Sequence, residues 1–392
     1  MDWPTTPTEN IPGSDFVPEF CPWPACPTHD PEKEPPFGFS GAGSYQRKCD
    51  GRVVPRFRCA ACRRTFSQQS FAATYYLKRP ELLIPIARAM VACEAHRQTA
   101  RSLECAASTV TRQAARIGRH AILLQTITLQ NLDSLEETVV YDHFECFGVS
   151  QYFPVGIGTA YGEQSRLLLS LDVAPLRRKG RMSPMQKRRR SVLELSNPRP
   201  SPRAYEQAAR EMLDRLLPLL APGSSLHLAS DEHKQYATAV RKHPQSPCIE
   251  HKAYANPSRG PKGTPRSARA RRRDKALETV DQGHQFLRHS LSHHRRETIA
   301  FARRHNALVE RIFAHGVWLN YVKNLSENAP QAGTRAMKAG LTDERWSWER
   351  IFARRLQPFR VPLPESWATI YRRQLKHPRC AEGKEHKLIN AF

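Results

Sequence analysis

Hydrophobic and polar positions change period several times along the chain, and the changes mark out its elements. Pro80 to Gln125 follows the helical period. Leu82, Ile86 and Met90 fall on one stripe of a helix from Glu81 to about Ala95, and Gln98 to Leu103 makes a second. After Glu104-Cys-Ala-Ala107, Ser108 can cap a third helix with Val110, Ala114 and Ile117 on one face. From Glu136 the pattern becomes that of strands: Thr138-Val-Val-Tyr-Asp-His-Phe-Glu-Cys-Phe147, then Gln151 to Ile157 and Ser165 to Val173 as a meander. A helix from Ala204 to Leu220 carries Met212, Leu216 and Leu220 inward. Ser225-Leu-His-Leu-Ala-Ser-Asp231 is a fourth strand, Glu232 to Val240 a helix, and Cys248 to His251 a fifth strand. Asp274 to Lys323 reads as long helix, with Leu277, Val280, Leu287 and Leu291 on one stripe and Leu308, Ile312 and Leu319 on another.

Two of the strands carry an acid where an apolar residue belongs. Asp142 interrupts a β-branched and aromatic run, and Asp231 ends one. A carboxylate in a core strand costs several kcal/mol unless a cation or hydrogen bonds meet it, so the pair suggests a shared metal site. The order of three strands, helix, strand, helix, strand is the ribonuclease-H-like arrangement, in which the first and fourth strands lie side by side and bring their acids together. Asp172 is a rival acid at a strand end before Pro175, where solvation would account for it.

Charge narrows the partner. The 392 residues hold 61 Lys and Arg against 37 Asp and Glu, a net charge of +24, and a polyanion, nucleic acid first, is the expected ligand. The basic residues cluster in two loops, 177–202 (Arg177 to Arg190) and 257–275, the latter with Arg259, Lys262, Arg266, Arg269 and Arg271, Arg272 and Arg273; a solvated charge run is the plainer alternative. On the third helix Arg112, Gln113 and Arg116 oppose the apolar face and suit phosphates and base edges in a major groove, which makes helix-turn-helix geometry and double-stranded DNA the expectation over a plain helical hairpin. No run of about 18 apolar residues and no basic start with an apolar stretch predicts a membrane span or a secretory signal, so a cytoplasmic protein is expected.

Ten cysteines cluster toward the N-terminus rather than spreading as a disulfide scaffold. Cys21-Pro-Trp-Pro-Ala-Cys26 and Arg56-Phe-Arg-Cys59-Ala-Ala-Cys62-Arg-Arg-Thr-Phe66 supply two short-spaced pairs, as a tetrahedral zinc needs, with Cys49 a rival fourth ligand. Around them, residues 1–40 hold ten of the 31 prolines and little apolar periodicity, and 1–20 are expected to be disordered.

A two-metal nuclease needs a third carboxylate. On one continuous helix Asp281 and Glu297 would stand ~24 Å apart, sixteen residues at a rise of about 1.5 Å, so only one can serve. Glu297 is crowded by His293, His294, Arg295 and Arg296, while Asp281 lies nearer the helix start with Glu278 one turn earlier.

With these residues in view the chain resembles a bacterial insertion-sequence transposase of the DDE type. The likeness rests on Arg56 to Ser67, Ser108 to Gln113, Ser230-Asp-Glu-His-Lys-Gln-Tyr236, and Leu287 to Leu291 with Arg295 to Phe301, within about residues 21–325. It implies an α+β multidomain chain: zinc ribbon (21–78), helix-turn-helix domain (79–130), ribonuclease-H-like mixed-sheet catalytic core with C-terminal helices (136–325), and a basic tail (326–392). In similar transposases the third acid precedes a Leu-Arg pair by one to two turns, which here is Asp281 in place of the usual Glu. The resemblance further implies two Mg²⁺ held by Asp142, Asp231 and Asp281, a structural Zn²⁺, transposon ends and target as DNA substrates, a dimer or larger assembly on DNA, and a nucleoid-associated setting. His143, Glu145 and His233 are candidates to support the acids. A transposase-derived protein that binds DNA without cutting is the competing expectation; a housekeeping ribonuclease H or junction resolvase would explain neither ribbon nor N-terminal helices.

Overall fold

The computed structural model describes residues 1–30, 36–258, 260–261, 263–295 and 298–378. The chain divides into two compact units, Met1–Arg88 with Trp346–Leu363, and Ala89–Arg345 with the segment from Pro364 onward.

The first unit is built on an antiparallel sheet of three strands, β1 (Phe39–Gln46), β2 (Val53–Cys59) and β3 (Thr65–Ser67), in that order. Alternation along β2 turns Phe57 and Cys59 inward, Val54 is buried out of that phase, and Phe57 faces Phe66 across the β2–β3 pair. Phe71 and the buried Cys21 and Cys26 complete this core, with Phe16, Phe20 and Phe37 against it. The N-terminal twenty residues are ordered, contrary to the expectation from their prolines. Trp3 is buried, stacks on Trp346 at 5.4 Å and donates its indole N–H to the Arg350 carbonyl at 2.7 Å, while the Thr8 N–H donates to the Ala353 carbonyl at 2.6 Å. The partners that order this segment lie some 345 positions later, beyond the reach of any local pattern. The tail is accordingly a working part of the fold, giving Trp346 and Trp348 to this unit and Trp367 to the other.

The division of the chain at Arg88 and Ala89 falls within α1 (Leu83–Val91), and the second unit continues with α2 (His96–Ser102) and α3 (Ala107–Gln130). A mixed sheet comes next: β4 (Val139–Phe147), β5 (Pro154–Gly162), β6 (Leu168–Pro175), β7 (Leu226–Asp231) and β8 (Ile249–Tyr254) in the order β6-β5-β4-β7-β8. The first three strands are antiparallel, and β7 runs parallel to both β4 and β8. Parallel neighbours need crossovers, and here α5 (Ala204–Leu216) and α6 (Lys234–Arg241) accompany them. Between β6 and α5, residues expected as loop contain α4 (Pro184–Ser196), capped by Ser183 and with no buried residue; its length and cap make it helical without help from a core.

The long C-terminal helix expected from the leucine stripes is instead α7 (Ala268–Ala276), α8 (Glu278–Ser290) and α9 (His305–Val317). Leu277 and Leu291 leave helical geometry at the breaks, yet both are fully buried, so the stripes continue while the axis turns. The continuous helix that would set Asp281 and Glu297 ~24 Å apart is therefore absent, and Glu297, like Arg259, Lys262 and Arg296, lies outside the described residues.

α3 packs along α9 and is buried far beyond its apolar stripe: Val110, Ala114 and Ile117 are inside, but so are Gln113, Arg116 and Arg119. Gly118 lets the two axes meet. A Cβ there would stand 2.5 Å from Glu310 Cβ and 2.6 Å from its carbonyl oxygen, contacts that real atoms do not make. Gly118→Ala is expected to destabilise this unit by about 1–3 kcal/mol, read as a lower urea midpoint; an unchanged midpoint would refute the close approach.

Candidate functional site

β4 and β7 pair Val139 with Leu228 and Tyr141 with Ser230, so the next residue of each, Asp142 and Asp231, sit side by side on one face of the sheet. Asp142 opposes Thr159 of β5, whose hydroxyl meets His284 Nε2 of α8 at 2.9 Å, and α8 carries Asp281 in its first turn over that same face. The three acids are half-buried. Burial raises the Asp142 carboxyl, the charges of Asp231 and then Asp281 raise it further, and the His143 N–H and the Arg273 charge oppose them, leaving it at about 7. In a chain of +24 this is a local excess of negative charge, three carboxylates against the single guanidinium of Arg273. Such a set of hard oxygen donors fits a divalent cation of the magnesium kind.

The carboxylates do not yet close on one point, because Arg273 of α7 ion-pairs with Asp281, its Nη2 standing 3.3 Å from Oδ1. Glu278 points elsewhere: it is exposed and pairs with Arg166 at 3.4 Å, which removes it as an alternative third acid. Asp172 is likewise excluded. Far from being solvated, it is buried on the opposite sheet face in an ion pair with Arg215, with Ser170 Oγ at 3.2 Å.

Beside the acids lies an aromatic cluster that the sequence only hints at. Tyr236 OH reaches His143 Nδ1 at 2.7 Å and Asp142 Oδ1 at 3.4 Å, so a proton on Nδ1 lets His143 donate to Tyr236 and Tyr236 donate on to Asp142. The Asp231 carboxylate accepts the His233 N–H at 3.0 Å, and Glu145 accepts the Tyr205 hydroxyl at 2.7 Å. Gly156 and Gly158 make room for these rings, since a side chain at either would collide with Tyr205, Tyr141 or His143. Tyr205 and His284 are neighbours that the sequence reading does not single out, Tyr236 enters it only within the motif that follows Asp231, and Arg273, expected at DNA phosphates, stands instead against Asp281.

The DNA-contact residues expected on α3 divide. Arg112 is exposed, whereas Gln113 and Arg116 are buried. On α7, Arg271 and Arg272 face solvent and Arg273 turns inward.

In the first unit the thiols of Cys21, Cys26, Cys59 and Cys62 lie within 4.8 Å of one another and could hold a metal ion; among the described residues no other group of three or more Cys, His, Asp or Glu converges so closely. Cys21 to Cys62 and Cys26 to Cys59 are each 3.7 Å apart. Thiolates about 2.3 Å from a tetrahedral ion stand about 3.8 Å apart, so the spacing fits. Two turns present the sulfurs: the Cys26 N–H returns to the Trp23 carbonyl at 3.0 Å, and Arg63, with φ of 61°, returns its N–H to the Cys59 carbonyl at 3.0 Å. Burial raises the Cys21 and Cys62 thiols, while at Cys26 hydrogen bonds from Thr28 outweigh burial and bring it to about 7. Cys49 is exposed outside the group and is not the fourth ligand.

Among the described residues no helix is long and apolar enough to cross a membrane. Compared with known proteins, the chain matches no family model, no curated protein and no solved structure.

Proposed function

We propose that the chain is a DNA transposase of the DDE type: a zinc ribbon at Cys21, Cys26, Cys59 and Cys62, a helix-turn-helix built from α2 and α3, and a ribonuclease-H-like core that cleaves and joins DNA strands with Mg²⁺. The observation that carries the reading is the adjacency of Asp142 and Asp231 on parallel central strands, with Asp281 brought over them by α8. When bound, a pair of magnesium ions lowers the pKa of an attacking water or 3′-hydroxyl and stabilises the leaving oxygen. Asp142 and Asp231 supply the central ligands and Asp281 completes the set. The Tyr236 hydroxyl and the His143 N–H orient Asp142, and the His233 N–H orients Asp231. Phosphate binding falls to Arg271 and Arg272, to Arg188 and Arg189 on the exposed α4, and to Arg97, Arg101 and Arg112 on the outer side of α2 and α3. Two DNA ends held together call for a dimer or larger assembly.

A second reading has one observation in its favour. The ion pair between Arg273 and Asp281 neutralises the third acid, as it would in a transposase-derived protein that binds DNA and no longer cuts.

Strand cleavage and joining on labelled duplexes carrying the ends of the element that encodes the chain separates the two. Wild-type protein is expected to cut only with Mg²⁺, and Asp142→Asn or Asp231→Asn to lose roughly 10³-fold or more, about 4 kcal/mol of barrier, with end binding retained. Wild-type binding without cutting would overturn the enzyme reading in favour of the second.

A further inference from the structure

The contact that blocks the acid site is made by a helix built to leave it. α7 carries Arg269, Arg271, Arg272, Arg273 and Lys275 in nine residues, and Ala270 is its one buried residue. Little apolar surface holds it down. Salt bridges hold it instead: Arg269 with Glu232 at 3.2 Å, the residue after Asp231, and Arg273 with Asp281. Both acids border the catalytic cluster. At the C-terminal end Leu277 is buried and non-helical, a fixed pivot between α7 and α8.

We propose that Arg273 is a two-position residue: in the DNA-free protein its guanidinium holds Asp281, and on DNA it transfers to a backbone phosphate, releasing Asp281 to bind divalent ions with Asp142 and Asp231. This rests on the reading of the three acids as a metal site.

A guanidinium fork matches a phosphate as well as it matches a carboxylate, and a phosphate offers acceptors to more of its donors. Arg273 has such a donor to spare. Its Nε is buried with no hydrogen-bond acceptor among the described residues, while each Nη gives one bond to Asp281 and Nη1 also stands 3.7 Å from Asp274. Arg271 and Arg272 face solvent on the same short helix, so duplex binding engages α7 at its exposed arginines and draws on Arg273 with them. The competition is electrostatic. A guanidinium and a divalent cation repel, and both seek the same carboxylate. Metal and DNA therefore each raise the affinity of the other, by one shared factor. The acids load only when a substrate phosphate is at hand.

Free Mn²⁺, followed by its electron-spin resonance signal, tests this on the full zinc-loaded chain with and without a DNA duplex. For wild type, DNA is expected to tighten Mn²⁺ binding at least ten-fold. Arg273→Gln is expected to bind Mn²⁺ at least ten-fold more tightly than wild type without DNA, and to gain little when DNA is added. Arg273→Lys keeps the charge but not the fork; weak binding without DNA and a small DNA effect are expected, which keeps the test open if Arg273→Gln fails to fold. Wild-type Mn²⁺ affinity in Arg273→Gln, or an undiminished DNA effect in Arg273→Lys, would overturn the switch while leaving the metal site standing. Mn²⁺ binding that Asp142→Asn does not weaken would overturn the metal-site reading itself, and the switch with it.

Discussion

Removing the metal from the four cysteines is expected to unfold the unit formed by Met1–Arg88 and Trp346–Leu363 while leaving the five-stranded sheet folded. Cys21, Cys26 and Cys59 are buried among Phe57, Phe66 and Phe71, so an ion held by them would lie within the unit's apolar core. The sheet beside it has three strands, one of only three residues, and β1 is almost wholly exposed. Structural zinc contributes about 10–16 kcal/mol to folding in small domains, as much as the whole stability of an ordinary one. Without the ion, four thiols crowd at 3.7 Å with nothing to bind. Chelation, or Cys59→Ser, should therefore abolish protection of amide hydrogens in β1 to β3 and release one zinc per chain. Cys49→Ser should change neither, since that thiol is exposed and apart. Full protection in metal-free protein would show that the cysteines pack as ordinary core residues.

What the sequence made legible follows physical range. The cysteine pairs could be read because ligand spacing within each turn is local, and Asp142 and Asp231 because a charge in a β-branched run is conspicuous wherever it falls. The sheet order followed from the succession of elements, since parallel neighbours require crossovers. Asp281 follows from the resemblance, and only a helix unbroken across Leu291 would place it ~24 Å from Glu297. Leucine stripes report burial, not axial continuity, and both leucines are buried at bends. The same limit explains Gln113 and Arg116. Polar residues opposite an apolar stripe usually face water, but here the tertiary packing of α3 buries both. The contacts of Arg273 with Asp281 and of Tyr236 with His143 and Asp142 depend on angles between elements that no period encodes.

Lowering the pH from 8 to 5 is expected to cost the second unit much of its stability. His293, His294, His305 and His315 are each less than a tenth exposed, and burial, joined by neighbouring imidazoles and arginines, holds them neutral: His294 and His315 titrate at about 3, His305 at about 4, His293 well below its ordinary value. The His293 and His294 rings lie 4.2 Å apart, so charging one burdens the other. A folded-state pKa below the unfolded value means that the unfolded chain binds more protons; the contribution is complete above about 6.5 and drains away as pH falls toward 3. At pH 5 His294, His305 and His315 have each lost about 2 kcal/mol, or about 6 together, and His293 shifts in the same direction. Half-buried His96, His143 and His284 shift the same way and add to the loss. Asp142 and Glu310 act in reverse, each raised to about 7 chiefly by burial, and protonating them between pH 7 and 5 returns up to about 3 kcal/mol apiece. The balance is a net loss, a sizeable part of a whole domain's stability. Urea midpoints at pH 8, 6.5 and 5 measure it, and His315→Leu isolates one share: the variant should gain about 2 kcal/mol on wild type in going from pH 8 to pH 5. A midpoint that stays level across that interval would mean the imidazoles reach solvent when charged, and that the buried cluster opens without unfolding the sheet.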